Sequence, residues 1–210
     1  MSNTVPGADM TDMTTTLPHS ASATARRAMI DSQLRTSGVN EEYVLARMIA
    51  VPREDFLPAD KASVAYIDRA VTLADGALAA PLFYGKLLIE AAPTPQDRVL
   101  VVEGGTGYLA ELLRPLVAEV TAVSAADAAK GAGKGSFSLI VIDGAIEHLT
   151  DGLAAQLEDN GRIVTGLVLR QVTRLASGRK VAGQLNLQPV EDLGIPVLPA
   201  FAAPKRWTFA

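Results

Sequence analysis

Residues 99–108 read VLVVEGGTGY. An unbroken apolar run, two adjacent glycines and a third glycine two positions on describe a strand buried on both faces that enters a tight turn and then a helix. Such a turn admits a ligand because glycine has no β-carbon and tolerates positive φ, so backbone amides can approach closely. Glu103 stands at the first position of the turn, where a side chain and a negative charge replace open backbone.

Outward from this turn, strands and helices alternate. RVLVVE (98–103) is a strand, YLAELLRPLV (108–117) a helix interrupted near Pro115, and EVTAVS (119–124) and FSLIVID (137–143) are two further buried strands. Residues 152–157 suit a short helix, and DNG at 159–161 a turn before the strand RIVTGLVL (162–169). QVTRLAS and KVAGQLNL, separated by Gly178 and Arg179, alternate apolar and polar residues as a β-hairpin does. Upstream, PLFYGKLLIEAA (81–92) reads as a helix begun by Pro81 and ended by Pro93 and Pro95.

From Ala25, ARRAMIDSQLRTSG places Met29, Ile30, Gln33 and Leu34 on one side of a helix that Gly38 stops. Asn40 is the expected N-cap of EEYVLARMIA, and VPREDFLP (51–58) a compact turn that inserts Phe56 and Leu57 into the domain. The order implies a Rossmann-like, doubly wound α/β domain with a mostly parallel sheet and a terminal antiparallel hairpin. Ligands of such sheets lie at the carboxyl ends of the strands, which places Glu103, Ser124 and Asp143 along the binding rim.

With 210 residues, 49% of them apolar, the chain supports one core, assigned to residues 23–210. Residues 1–22 lack an apolar period and read as a poorly ordered tail that includes a solvated His19. The absence of cysteine removes disulfides and thiol nucleophiles, and two histidines are too few for a metal cluster, so no metal site is expected. A net charge of −4 opposes broad attraction to nucleic acid or anionic membranes. No apolar run approaches the ~20 residues of a membrane span, and no secretory signal is legible, so the cytoplasm is the expected compartment. The ending Trp207-Thr208-Phe209 is open to packing on the sheet or on another subunit.

The order of motifs resembles the protein-L-isoaspartate O-methyltransferase family, in particular a divergent bacterial branch. The matching features are Gln33-Leu34 followed by Gly38, VPRE..F.P at 51–58, AY.D at 65–68, the glycine turn at 99–108, IDGAIEHL at 142–149 and QLEDNGRIV at 156–164. The resemblance implies an S-adenosylmethionine-dependent methyltransferase fold and methyl transfer to the carboxyl of an isoaspartyl residue in a damaged protein or peptide. It also implies that the glycine turn seats the methionine part of the cofactor and that an acid ending the second strand holds the ribose.

Against the family pattern E/D-x-G-x-G-x-G, Val101 stands at the acidic position and Glu103 at the first glycine, leaving Gly105 and Gly107. Ser124 replaces the ribose-binding acid, with one hydroxyl where a diol needs a bidentate acceptor. Only AADAAKGAGKGS (125–136) joins EVTAVS to FSLIVID, too short for a helix, a third strand and another helix, so the third strand and its adenine contacts are expected to be missing. GAGKGS does not make a phosphate loop, because Ala128 takes the first glycine position and Gly135 follows Lys134. In the substrate loop, GALAAP (76–81) puts Ala79 at the family's serine and Ala80 at its polar neighbour.

Glu103, Gly105, Gly107, Ser124 and Asp143 are therefore the cofactor-side candidates, and Tyr66, Asp68 and Ala79 the substrate-side candidates. Each has a plainer role beside it: a folding turn for the glycines, a turn cap for Asp143, a structural role for Tyr66 and Asp68 in place of the substrate-cleft wall. Glu147 and His148 complete the polar rim, the latter as a surface histidine or a base. Two readings follow, a methyltransferase with a remodelled cofactor site and a catalytically inactive relative that binds or regulates. Four departures on one ligand, at ~1–1.5 kcal/mol each, predict about a thousandfold loss of cofactor affinity or more.

Overall fold

The computed structural model describes residues 19–131 and 135–203. The tail at 1–18, Lys134 of the glycine-rich link and the Trp207-Thr208-Phe209 ending lie outside the described residues. Helix α1 spans His19–Met29, so it begins within the stretch read as tail. Its Ser22 is buried and donates to Glu54, a contact that draws these residues into the fold.

A π-helical turn (Ile30–Leu34) and a 3₁₀ turn (Arg35–Ser37) continue α1 to Gly38, whose φ of 81° ends the run as the sequence predicts. Met29, Ile30 and Leu34 are buried on one side. Helix α2 (Glu42–Ala50) is preceded by Glu41 in extended conformation, so the expected Asn40 cap is displaced by one residue and makes no capping bond. Residues Arg53–Phe56 form a 3₁₀ turn, and Phe56 meets Tyr108 edge-on at 5.1 Å.

A small antiparallel pair, β1 (Val71–Leu73) and β2 (Gly76–Leu78), precedes helix α3 (Pro81–Ala91). The main sheet then comprises β3 (Arg98–Glu103), β4 (Glu119–Ser124), β5 (Phe137–Ile146), β6 (Leu157–Leu169), β7 (Val172–Val181) and β8 (Gln184–Asp192). Between them lie α4 (Tyr108–Leu113), α5 (Ala125–Ala129) and α6 (Asp151–Ala154). Strand order is β4-β3-β5-β6-β7-β8, parallel through β6 and antiparallel beyond it.

Val99 and Val101 face a core shared with α1–α4, while Leu100 and Val102 face one shared with Ala128, Leu153 and Phe201. The three-layer α/β architecture is thus the expected one, and no described strand lies outside β4. With that neighbour missing, β4 is a half-exposed edge rather than the doubly buried strand its composition suggests. The link after it is not wholly extended: Ser124 caps the short α5.

The terminal hairpin turns at Ala182 and Gly183, both at positive φ, and not at Gly178-Arg179. Gly178 sits within β7, where a β-carbon would press on the Asn186 carbonyl. DNG likewise lies inside β6, as an irregularity with Asn160 at φ 65°, instead of preceding the strand. No helix among the described residues is long and apolar enough to cross a membrane.

Candidate functional site

The carboxyl ends of β3 and β4 bring Glu103 and Ser124 to one rim with Asp143, which lies within β5. Glu103 pairs in register with Ser124, and Val102 with Ile142, so Asp143 follows on the next strand. The sheet thereby brings the three predicted rim residues together, although β5 runs on to Ile146 and Asp143 does not end it as the sequence suggests.

Glu103 is turned into its own loop. Its Oε2 accepts the Gly107 backbone N–H at 2.9 Å, and its Oε1 is buried without a partner. Burial raises its pKa and nearby Glu111 adds to the rise, against the Gly107 amide and Arg114. The amide that an incoming carboxylate could use is therefore already taken by a carboxylate of the chain.

The glycines of the turn are mostly engaged by protein backbone. A β-carbon on Gly105 would overlap the Asp75 carbonyl, and one on Gly76 the Gly104 carbonyl, so the β1–β2 turn and the glycine turn lie main chain against main chain. Ala77 N–H donates to the Gly104 carbonyl at 3.1 Å across this contact. Gly104 itself is pressed on Asp143, where a β-carbon would meet the Asp143 carbonyl. Only Gly107, at φ 76°, faces open space.

Asp143 is 2% exposed and accepts the Tyr84 hydroxyl at 3.2 Å on Oδ2, while Oδ1 has no partner. Burial first, and the negative charge of Glu103 second, push its pKa up to about 7. Two raised carboxylates side by side resist simultaneous ionisation. The Tyr84 hydroxyl also receives the Ala79 N–H at 3.2 Å, which ties Asp143 to the substrate-loop position. Burial and Asp143 raise the Tyr84 pKa well above its ordinary range.

Ala79 is buried, and its carbonyl accepts Arg53 Nη2 at 2.7 Å. Arg53 was not a candidate from the sequence, although it stands in the VPRE motif. It is wholly buried, donates from Nε to the Ala65 carbonyl at 2.7 Å, and lies 5.4 Å and 5.2 Å from the Tyr84 and Tyr108 ring centres. Its charge lowers the Asp143 pKa, and that of Tyr108, which burial nevertheless pushes up to about 12. An arginine between two prolines gives no sign of burial; only the carbonyls and rings converging on it reveal its place.

The remaining candidates disperse. Tyr66 donates to Glu54 and accepts Arg26 Nε at 2.7 Å, so its hydroxyl joins α1 to the 53–56 turn. Asp68 is exposed and borders a cavity of about 590 Å³ with Ala77, Ala80, Phe83, Thr173 and Ile195. Ser124 is exposed, its Oγ accepting Asp127 N–H at 3.1 Å and donating to the Asp127 carboxylate at 2.7 Å. Glu147 and His148 hold the carboxyl-terminal segment, through Ala203 N–H at 2.6 Å and the Phe201 carbonyl at 3.2 Å.

In this arrangement several of the groups that S-adenosylmethionine would contact are engaged by the chain itself. The Gly107 amide is bonded to Glu103, Gly105 abuts Asp75, and the Ser124 hydroxyl is committed to α5. No described strand beyond β4 supplies a wall for an adenine.

Comparison with known proteins places the chain among relatives. The family model for protein-L-isoaspartate(D-aspartate) O-methyltransferase matches residues 24–130. A protein-L-isoaspartate O-methyltransferase of Koribacter versatilis is 31% identical over 193 residues, covering 80% of this chain and 87% of that protein. One from Roseiflexus castenholzii is 34% identical over 194 residues, covering 80% and 88%. Among solved structures, a Plasmodium falciparum protein described as a protein-L-isoaspartate O-methyltransferase in complex with S-adenosyl-L-homocysteine superposes with a TM-score of 0.61 at 16% identity. That match covers 85% of this chain and 98% of the other. A second protein-L-isoaspartate O-methyltransferase gives 0.63, also at 16%, over 82% and 65%. These two share the fold, and the relatives of higher identity establish the lineage: the chain belongs to the protein-L-isoaspartate(D-aspartate) O-methyltransferase family.

Proposed function

We propose that this chain acts in the reaction class of its family, S-adenosylmethionine-dependent methylation of isoaspartyl carboxylates in proteins or peptides. S-adenosylmethionine is the cofactor of that family. The observation that carries the reading is the Ala77 N–H to Gly104 carbonyl bond, which holds the segment aligned with the family's substrate loop against the glycine turn. A carboxylate and an activated methyl must meet in line with water excluded, and only adjoining loops can arrange this. Glu103, Gly105, Gly107, Ser124 and Asp143 are assigned to the cofactor side, and Tyr66, Asp68 and Ala79 to the substrate side. The cavity beside Asp68, bordered by Ala77 and Ala80, would receive the peptide, with Ala79 positioning that loop through its bonds to Tyr84 and Arg53.

The Glu103–Gly107 bond favours a second reading, a family member that recognises its partner without transferring methyl. One experiment separates the two. The full chain is incubated with an isoaspartyl peptide and labelled methyl donor, while peptide binding is followed independently by anisotropy. Base-labile methyl ester supports the first reading; binding without ester supports the second; neither binding nor ester overturns both. The compartment in which this happens is proposed to be the cytoplasm.

A further inference from the structure

We propose that the free edge of β4 is a self-association surface, on which a second copy of this chain adds its own β4 to form one continuous sheet across the dimer. The two edges of the main sheet differ in a way that points there. Strand β8 carries Pro189, the acids Glu191 and Asp192, and a register shift against β7 between Leu175 and Ala176. Proline, charge and irregularity protect an edge strand from pairing.

Strand β4 has no proline and no irregularity, and it carries one charge only. All six of its residues pair in register with β3, without a bulge, and its single charge is Glu119 at the amino end. Its middle is β-branched or small: Val120, Thr121, Ala122 and Val123. No strand among the described residues pairs with its outer side. An unpaired, regular edge of this kind is a template for another strand.

The sequence of β4 also suits its own copy. Two identical antiparallel strands related by a two-fold axis perpendicular to the sheet keep side chains on matching faces only if the axis passes beside a residue. Centred on Thr121, the register sets Glu119 against half-buried Val123. Centred on Ala122, it sets Ala122 against Ala122, Thr121 against Val123 and Val120 against Ser124, and it leaves Glu119 opposite Ala125, beyond the paired segment. The second register opposes no like charges and places small exposed side chains at the centre. It is the one proposed.

Sedimentation velocity of the full chain across a concentration series tests this. The wild type is expected to show a concentration-dependent dimer. Ala122→Lys and Ala122→Glu, each setting like charges against each other at an exposed position, are expected to weaken it about fivefold or more. Mixing the two variants is expected to restore association, which a merely misfolded variant would not do. A monomer at every concentration overturns the proposal, including one whose β4 amides are protected from hydrogen exchange by another part of the chain. So does a dimer indifferent to both substitutions, or a failure of the mixture to recover.

Discussion

The Glu103 carboxylate holds the Gly107 amide at 2.9 Å, so an acidic side chain of β3 closes the turn that its own strand opens. The carboxylate takes an amide that a ligand's carboxylate could use, and the bond offsets only part of the cost of burying it, since its pKa stays raised.

Replacing Glu103 with Gly should therefore improve binding of the demethylated cofactor, S-adenosylhomocysteine. Ligand at a hundred times its dissociation constant stabilises by ~2.7 kcal/mol, a rise of several degrees in melting temperature. The shift should be larger in Glu103→Gly than in the wild type, each measured against its own ligand-free form. Equal shifts would remove Glu103 as the obstacle.

Asp143 gives an unusual pH dependence. Its folded pKa of about 7 lies above the ordinary carboxylate value, so its contribution to stability is full at low pH and is lost as pH rises toward and through 7. Asp143→Asn keeps the shape without the charge and should stabilise the chain at pH 8 by a few kcal/mol at most, on the order expected for a buried carboxylate. Thermal melts of both proteins from pH 5 to about 8 should diverge upward in pH; parallel curves contradict the assignment.

Arg53 should be among the most sensitive positions in the fold. Arg53→Met leaves the Ala65 and Ala79 carbonyls without their donor and removes the cation between Tyr84 and Tyr108. A loss of ~3 kcal/mol, or roughly 6–12 °C in melting temperature, is expected. Arg53→Lys should recover little, because one ammonium cannot reproduce the fork. Near-wild-type melting of Arg53→Met would show that the cation is dispensable, and of Arg53→Lys that the fork is.

Tyr66 and Asp68, neighbours in one motif, should separate. Tyr66→Phe removes one hydrogen-bond partner from each of Glu54 and Arg26, which keep their ion pair, and should cost ~1–2 kcal/mol in a denaturant titration. Asp68→Asn, at an exposed site, should change stability by less than ~0.5 kcal/mol and act instead on peptide affinity. The reverse pattern would exchange their roles.

The sequence by itself determined the alternation of elements, the glycine stop at Gly38, the strand ends bearing Glu103 and Ser124, and the link after β4 that is too short for another strand and its helices. These are local matters: hydrophobic period, φ preference and loop length act over neighbouring residues. Tertiary structure alone decided the burial of Arg53, the seating of Tyr84 on Asp143 and the exposure of β4, because each depends on groups far apart in the chain meeting, or on a neighbour that no described strand supplies. Composition makes EVTAVS look buried, but a strand is buried only if something lies on each side of it. Likewise, Gly105 announces a close approach in the sequence, and only the fold shows that what approaches is the backbone of Asp75.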